Sequence, residues 1–250
     1  MVATTIVIPA RLSSSRLQRK VLSDVCGKTL IERTHAVASA ADCGRVLVLT
    51  DAQEVANVVD GFGGEAWLTD PELPSGTARI ASVADRLEGD VVVNLQADAP
   101  LTDPAVVRQA ADEARSSQAA VTMPVYPITD SAAIADPNTV KVVRTVDGAP
   151  LYCSRSPIPY VRDAPRAEWL QRTPFWGHVG LYAYSLGFLT DFTSLPSSSL
   201  EDAEKLEQLR WLEAGLPLHT FVVVPQGASV DTPEQLEEVR EAFRNKVPMT

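Results

Sequence analysis

Hydrophobic and polar residues follow two alternating rhythms along the first 120 positions. Short apolar runs rich in β-branched residues predict buried strands at 4–10, 45–51 and 90–98. Segments with apolar residues at helical spacing separate these runs, at 28–41, 52–63, 75–87 and 103–117. Strands that alternate with helices in this way predict a parallel sheet with right-handed crossover connections.

The pattern changes after position 118. Strand-like segments follow one another at 119–128, 138–155 and 177–185, and the sequence VDG at 146–148 predicts a hairpin turn. Residues 198–215 have the spacing of one amphipathic helix. A late strand at 217–225 and a last helix at 231–245, starting at Asp231 or Thr232, complete the chain.

A length of 250 residues fits one α/β domain, and we expect residues 1–250 to form a single domain. Its predicted parts are a nucleotide-binding half at 1–120, an acceptor-binding and dimerisation subregion at 121–220, and a returning strand with the C-terminal helix at 221–250. The central sheet is expected to be mainly parallel, with helices on both faces.

Composition narrows the classes of partner. The formal net charge of −10 disfavours nucleic acid and anionic membranes. No apolar run approaches the ~20 residues of a membrane helix, and the N-terminus lacks signal-peptide features. Three scattered cysteines without a CxxC pair are expected to be reduced thiols. We therefore expect a cytoplasmic protein.

One loop departs from this acidic background. Arg11, Arg16, Arg19 and Lys20 lie within ten residues directly after the first predicted strand, together with three serines. In open α/β sheets ligands bind at the carboxyl ends of strands, so cations and backbone N–H groups there suit a phosphate chain. The spacing matches neither a P-loop nor GxGxxG. The alternative is a solvated basic loop.

Two aspartates offer a second kind of chemistry. Asp98 directly follows a predicted buried strand, and Asp231 precedes the last helix. A turn role for Asp98 and an N-cap role for Asp231 are the simpler interpretations. If the two carboxylates converge near bound phosphates, Mg²⁺ would offset their repulsion, because it prefers hard oxygen ligands. The spacing alone does not establish that convergence.

Several motifs occur in one order along nearly the whole chain. They are IVIPARLSSSRLQRKVL, GKTLIERT, SGTARIASV, VVVNLQADAP, PNTVKVV, LYCSRSPIP, GHVGLYAY, AEKLEQLR and SVDTPEQLEEVR. In this order they resemble the 3-deoxy-manno-octulosonate cytidylyltransferases, the CMP-KDO synthetases. The resemblance implies a Rossmann-like nucleotidyltransferase fold of the glycosyltransferase-A type, CTP and a small acidic acceptor as substrates, Mg²⁺ as cofactor, and a homodimer.

The resemblance also assigns roles to individual residues. The catalytic residues would be Arg11, Arg16 and Lys20, which hold the triphosphate, and the magnesium ligands Asp98 and Asp231. The nucleotide would be bound by Pro9, Ala10, Arg11, Ser75, Gly76, Arg79 and Gln96. The acidic acceptor would be bound by Gln96, Arg155, His178, Tyr182, Glu207 and Gln208.

The chain departs from the family pattern at two places. The family motif LPGKPL is replaced by LQRKVL, which adds Arg19, and QGDEP is replaced by QADAP, which introduces Ala97 and Ala99. One more cation and one fewer carboxylate would suit a more anionic acceptor. A small phosphonate such as phosphonoformate is therefore an alternative to the octulosonate.

Two other functions remain open from the sequence. One is a related nucleotidyltransferase with a different nucleotide or sugar acceptor. The other is a catalytically inactive nucleotide-binding homologue, which the QADAP change suggests. The presence of Lys20, Asp98 and Asp231 favours an active enzyme.

Overall fold

The computed structural model describes residues 4–13 and 17–246, without the side chain of Lys246. Within them lie ten strands: β1 Thr4–Ala10, β2 Arg45–Thr50, β3 Ala66–Leu68, β4 Val91–Leu95, β5 Val121–Pro127, β6 Lys141–Arg144, β7 Pro150–Ser154, β8 Trp176–His178, β9 Leu181–Ser185 and β10 Leu218–Val222.

Ten α-helices within the described residues connect or flank these strands. They are α1 Leu30–Ala40, α2 Gln53–Gly61, α3 Gly76–Ala81, α4 Pro104–Ser117, α5 Ser131–Ala135, α6 Trp169–Arg172, α7 Leu186–Asp191, α8 Ser199–Glu204, α9 Gln208–Glu213 and α10 Pro233–Lys246. Short 3₁₀ helices lie at Lys20–Leu22, Ala84–Arg86, Arg166–Glu168 and Phe192–Ser194.

The sheet is mixed and mostly parallel, which confirms the predicted α/β class. Its strands run in the order β3-β2-β1-β4-β9-β5-β8-β6-β7, and β10 pairs with β5. The pairs β2–β3, β1–β2, β1–β4 and β5–β10 are parallel, whereas β9 is antiparallel to both β4 and β5. Within the described residues, β7, β8 and β9 run opposite to the other seven strands, and β9 lies between β4 and β5.

Helices cover both faces of the sheet. Consecutive residues of β1 belong to two different hydrophobic clusters, with Ile6 and Ile8 in one and Val7 in the other. The first cluster includes buried residues of α1, α2 and α4, and the second includes those of α3, α7 and α9. A strand buried on both faces has a continuously apolar sequence, which is why β1 was recognisable.

Several helix starts follow the predicted capping chemistry. Asp103 caps α4 by accepting a hydrogen bond from the N–H of Ala105 at 2.9 Å, with Pro104 in the first position. Ser75 caps α3 by accepting from the N–H of Ala78 at 3.1 Å. The helix predicted at 75–87 is shorter than expected, because it ends at Ala81 and continues only as a 3₁₀ turn.

The single helix predicted at 198–215 is wrong. The segment forms α8 and α9, separated at Lys205, whose backbone is left-handed with φ 53° and ψ 48°. An α-helix cannot pass through a left-handed residue, so the chain turns there. The amphipathic spacing continues across the break, so the sequence pattern did not predict the break. As a result, Glu207 and Gln208 lie at the start of a new helix.

Other predicted features have mixed outcomes. The β6–β7 hairpin forms around residues 146–148 as predicted. The returning strand β10 begins at Leu218, so it crosses the predicted boundary between 220 and 221. All three cysteines are free thiols. No helix among the described residues is both long and apolar enough to cross a membrane.

The break at Lys205 leads to a stability prediction. The substitution Lys205→Val should lower the free energy of unfolding by about 1–2 kcal/mol, because a β-branched residue fits the left-handed region poorly. Lys205→Asn is the matched control, since asparagine tolerates that conformation. Both variants remove the exposed Lys205–Asp202 ion pair equally. Equal urea-unfolding midpoints for the two variants would contradict this account.

Candidate active site

Lys20 lies between the two aspartates singled out in the sequence. Its Nζ donates to Oδ2 of Asp98 at 2.6 Å and to Oδ1 of Asp231 at 3.0 Å. Lys20 begins a 3₁₀ helix after the basic loop, Asp98 follows β4, and Asp231 precedes α10. Because both oxygens contact one nitrogen, they lie within about 6 Å of each other. The convergence that the sequence left open is therefore present.

The local structure explains why Asp231 faces Lys20. Thr232, the other predicted candidate, caps α10 by accepting from the N–H of Gln235 at 3.3 Å. The Gln235 side chain returns a hydrogen bond by accepting from the N–H of Asp231 at 2.8 Å. The N–H of Val230 also donates to the carbonyl of Asp98 at 2.8 Å, which joins the two loops. The simpler N-cap interpretation of Asp231 is therefore wrong.

The charge of Lys20 is stabilised by this arrangement. Burial of the ammonium opposes its charge, but the carboxylates of Asp98 and Asp231 outweigh that effect and raise the pKa of Lys20 above its usual value. The amine stays protonated at neutral pH, so it reduces the repulsion between the two carboxylates.

A cavity of about 670 Å³ opens beside the ion pairs that Lys20 forms with Asp98 and Asp231. It contains most of the residues predicted to hold the nucleotide and its phosphates: Pro9, Arg11, Lys20, Gly76, Arg79, Gln96, Asp98 and Asp231, with Ser13, Val21 and Ala97. Ser75 caps the helix that begins at Gly76. Ala10 is fully buried at the end of β1 and is not among the described lining residues. Arg16 lies outside the described residues.

Two arginines in this cavity differ in their surroundings. Arg11 donates from Nη2 to the carbonyl of Pro74 at 2.6 Å and is half-buried. Arg79 is fully buried, with Nη1 donating to Thr69 and to the carbonyl of Asp70. Its Nε and Nη2 have no hydrogen-bond partner in residues 4–13 and 17–246. Burial lowers the pKa of Arg79. Two buried guanidinium nitrogens beside the cavity are therefore left without a hydrogen-bond partner among the described residues.

The added cation of the basic loop does not reach this cavity. Arg19 forms an ion pair with Glu54 and lies in a separate, open depression with Gln18 and Asp51. Its charge is therefore offset locally. The part of the argument for a more anionic acceptor that rested on Arg19 is wrong.

A second cavity of about 490 Å³ shares Gln96, Asp98 and Asp231 with the first. His178 lines it, together with Asn138 and Thr139 from the PNTVKVV motif. Burial lowers the pKa of His178 to about 4, so the imidazole is neutral at neutral pH. Its Nε2 is buried and has no partner among the described residues. A neutral nitrogen at this position can form one hydrogen bond with a ligand.

A third, smaller cavity of about 260 Å³ connects Gln96 and His178 to the start of α9. Tyr182, Glu207 and Gln208, all predicted acceptor residues, line it. The hydroxyl of Tyr182 donates to Oε1 of Gln208 at 3.2 Å. Each of these three predicted residues therefore lies near Gln96, at the junction of the cavities.

Glu207 is already engaged within the protein. It accepts hydrogen bonds from the hydroxyls of Ser75 at 2.7 Å and Thr77 at 2.6 Å. Burial raises the pKa of Glu207, and the two hydroxyl donors and Arg210 act in the opposite direction. Glu207 thus joins the start of α9 to the start of α3.

Arg155 is the predicted acceptor residue that the structure places elsewhere. Its guanidinium donates to the carbonyl of Glu204 at 2.8 Å and to that of Pro137 at 2.9 Å. It is not among the described residues that line the three cavities. Arg155 instead links α8 to the loop that carries Asn138.

Sequence reasoning missed several polar residues around Gln96. Thr77, Asn94 and Tyr184 are buried and hydrogen-bonded to one another. One signal was available: Asn94 interrupts the apolar run VVVNL of a strand buried on both faces. A buried amide in such a strand requires partners, which predicts a polar network nearby.

The carboxylate pair fits a divalent cation that also binds phosphate. Mg²⁺ is commonly held by one or two carboxylates, with substrate phosphates and water as the remaining ligands. Asp98 and Asp231 already converge on a positive charge, the Lys20 ammonium. No group of three or more His, Cys, Asp or Glu side chains with metal-site geometry occurs among the described residues, so phosphate oxygens would be needed.

Comparison with known proteins agrees with this geometry. A family described as cytidylyltransferase matches residues 5–221. The 3-deoxy-manno-octulosonate cytidylyltransferase of Saccharophagus degradans is 41% identical over an alignment of 256 residues. The alignment covers 96% of this chain and 98% of the relative. The protein of the same name from Chlorobaculum tepidum is 44% identical over 246 residues, covering 96% and 97% of the two chains.

Solved structures lead to the same family. The structure of CMP:2-keto-3-deoxy-manno-octonic acid synthetase complexed with CTP superposes with a TM-score of 0.92 at 38% identity, covering 98% of this chain and 100% of that one. A glucose-1-phosphate thymidylyltransferase from Bacillus anthracis, described as putative, has a TM-score of 0.68 at 16% identity, covers 99% and 98% of the two chains, and shares the fold alone. The chain therefore belongs to the cytidylyltransferase family and is a CTP-dependent nucleotidyltransferase.

Proposed function

We propose that this enzyme transfers CMP from CTP to 3-deoxy-manno-octulosonate or a closely similar sugar acid, with Mg²⁺ as cofactor and release of pyrophosphate. The convergence of Asp98 and Asp231 on Lys20, where two cavities meet, supports this proposal most strongly. The full-length similarity to enzymes named for that acceptor supports the choice of sugar acid.

The reaction forms a bond between an acceptor oxygen and the α-phosphorus of CTP. The bond from that phosphorus to the bridging oxygen of the β-phosphate breaks, pyrophosphate leaves, and the hydroxyl proton passes to solvent. Arg11, Arg16 and Lys20 would hold the triphosphate and offset the charge that grows on the leaving group. Gly76 and Arg79, with Ser75 behind them, would contact the nucleoside end.

Asp98 and Asp231 would hold Mg²⁺. When bound, the ion would neutralise phosphate charge and lower the pKa of a coordinated hydroxyl. The protein's own contribution is positional, because these carboxylates lie at the boundary between the cavity assigned to CTP and the cavity assigned to the acceptor.

The acceptor would occupy the second cavity and part of the third. Gln96, His178 and Tyr182 are its proposed polar contacts, with Gln208 behind Tyr182. Arg155 would act through the loop that it anchors. A phosphonate acceptor is less well supported, because Arg19 is paired with Glu54 and contributes no free charge to the cavity.

We also propose a homodimer. Leu151 and Tyr160 are 61% and 78% exposed within the segment 151–163, and Val146 in the adjacent hairpin turn is fully exposed. Val146 and Leu151 lie at the same end of the β6–β7 hairpin, and exposed large apolar side chains that lie together are typical of interaction surfaces. The proposed interface consists of this hairpin and the segment that follows it.

Removal of either carboxylate tests the proposed magnesium site. Asp98→Asn and Asp231→Asn should each lower the rate of CMP transfer by about 10²-fold or more, because an amide binds Mg²⁺ poorly and leaves Lys20 with one fewer counter-charge. The measurement is pyrophosphate release at saturating CTP, Mg²⁺ and acceptor. Circular dichroism checks that each variant is folded.

Asp103→Asn is the matched control for these variants. It makes the same chemical change in the same loop, and asparagine caps helices as well as aspartate. Its rate should equal that of the wild type. A wild-type rate in either Asp98→Asn or Asp231→Asn would remove that residue from the magnesium site.

A substrate panel tests the nucleotide and the acceptor together. We expect turnover with CTP and 3-deoxy-manno-octulosonate, and at least ~10-fold lower kcat/KM with UTP, ATP or GTP, about 1.4 kcal/mol of discrimination. Phosphonoformate should be a poor acceptor. Faster turnover with the phosphonate would overturn the choice of sugar acid. Calorimetric binding of CTP without turnover on any acceptor would favour the inactive homologue.

The neutral state of His178 has a consequence for stability. Its pKa of about 4 lies below the ordinary value of 6.5, so the unfolded chain binds a proton more readily as pH falls between these values. The folded state loses stability over that range, by at most about 3 kcal/mol. We expect His178→Gln to show a smaller loss of urea-unfolding free energy between about pH 7 and about pH 4.5 than the wild type. Identical pH dependence in both proteins would show that His178 is not buried in its neutral form.

A further inference from the structure

A continuous chain of hydrogen bonds connects Gln96 to Glu207. Nε2 of Gln96 is 3.2 Å from Oδ1 of Asn94, and Nδ2 of Asn94 is 3.1 Å from the hydroxyl of Tyr184. That hydroxyl is 2.8 Å from Oγ1 of Thr77, which is 2.6 Å from Oε2 of Glu207. The chain begins at the residue shared by all three cavities and ends at the start of α9.

The direction of these bonds follows from the number of protons available. Glu207 accepts from the hydroxyls of both Ser75 and Thr77, so Thr77 gives its single hydroxyl proton to Glu207. The Tyr184 hydroxyl must then donate to Thr77, because otherwise two oxygens would face each other without a proton. Tyr184 in turn accepts from the NH₂ of Asn94, whose carbonyl accepts from the NH₂ of Gln96. As the terminal acceptor, Glu207 therefore sets the orientation of both amides.

The environment of the chain preserves this direction. Thr77, Asn94 and Tyr184 are each no more than about 1% exposed, so water does not compete for their hydrogen bonds. Burial raises the pKa of Tyr184 far above its usual value, so its hydroxyl keeps the proton that it donates. Ser75 holds the other oxygen of Glu207 at 2.7 Å, which fixes the carboxylate.

Gln96, the last residue in this chain of hydrogen bonds, is the one that faces the ligand cavities. With its NH₂ directed at Asn94, Gln96 must direct Oε1 elsewhere, since the two ends of an amide diverge by about 120°. Within residues 4–13 and 17–246, no group donates a hydrogen bond to that oxygen. Gln96 lines the cavities assigned above to CTP and to the acceptor. Its carbonyl is thus an open acceptor at their junction.

We infer that Glu207 is a positioning residue which, through Thr77, Tyr184 and Asn94, holds Gln96 with its carbonyl oxygen toward the cavity to accept a hydrogen bond from a hydroxyl of the acceptor substrate. The inference rests on the proposed function for the identity of the acceptor. Its new content is that Glu207 acts on the acceptor through Gln96. It also assigns Thr77, Asn94 and Tyr184 to one functional unit.

This arrangement selects for the chemical class of the acceptor. A carbonyl oxygen attracts a hydroxyl proton and repels an ionised oxygen. A polyhydroxylated acid can present such a proton to Gln96, whereas a small, fully ionised phosphonate cannot. The chain of hydrogen bonds from Glu207 to Gln96 therefore favours sugar acids independently of the overall charge of the cavity.

Glu207→Gln is the direct test, because it preserves the shape of the side chain and reverses the direction of hydrogen-bond donation in the chain from Glu207 to Gln96. The new amide can still accept from Ser75 through its oxygen, while its NH₂ donates to Thr77. Each bond in the chain then reverses, and Gln96 turns its NH₂ toward the cavity. Tyr184→Phe interrupts the same chain at its middle without altering Glu207. Glu213→Gln is the matched control: on the same helix, Glu213 accepts from the hydroxyl of Ser198 but lies outside the chain.

We expect Glu207→Gln and Tyr184→Phe each to raise the acceptor KM by about 10-fold, the effect of one lost hydrogen bond of about 1.4 kcal/mol. The Kd for CTP, measured by calorimetry, should change less than ~3-fold, and Glu213→Gln should match the wild type. The double variant should be no worse than the more impaired single variant, because both act through one chain. Additive losses, or an unchanged acceptor KM in Glu207→Gln, would overturn the inference.

A spectroscopic measurement separates the inference from the proposed function. In ¹⁵N-labelled protein without substrate, the side-chain amide resonances of Gln96 and Asn94 should shift in Glu207→Gln and Tyr184→Phe, and remain unchanged in Glu213→Gln. Unshifted resonances in the first two variants would exclude the chain of hydrogen bonds, whichever acceptor the enzyme uses. Shifted resonances in an enzyme without turnover on sugar acids would support the chain of hydrogen bonds and contradict the proposed function.

Discussion

The ion pairs of Lys20 with Asp98 and Asp231 are the interaction on which the site depends. They join three segments far apart in the sequence: the basic loop after β1, the loop after β4, and the approach to α10. Two partly buried carboxylates at such short separation would repel each other strongly without a positive charge between them. The lysine supplies that charge within the protein alone. The site is therefore organised before any ligand arrives, and the entropy of ordering its loops is largely lost on folding.

Much of the fold could be predicted from the sequence, for a simple reason. Strands buried on both faces are continuously apolar, and the helices of the first 120 residues show clear periodicity and conventional caps such as Asp103. Periodicity failed where backbone conformation, not side-chain pattern, decided the structure. Lys205 is left-handed although nothing in its side chain requires it, so the sequence pattern did not reveal the break between α8 and α9.

The sequence predicted which residues would lie near the cavities but not how they are arranged there. Most residues identified by resemblance line the three cavities, because motif residues follow strands whose carboxyl ends lie at one edge of the sheet. Arg155 lies outside the cavities, because a long cation can equally well bind backbone carbonyls nearby. Arg19 was misjudged because its partner, Glu54, lies on α2 and is distant in sequence. Such pairings depend on tertiary contacts that local sequence does not encode.

The left-handed turn at Lys205 also determines how this part of the chain can vary. A helix rotates by about 100° for each residue, so the position of Glu207 opposite Ser75 and Thr77 depends on how many residues follow the turn. Inserting or deleting one residue between Lys205 and Glu207 would direct the carboxylate away from both hydroxyls. The α8–α9 junction is therefore strict in length, which distinguishes it from ordinary surface loops that accept insertions readily.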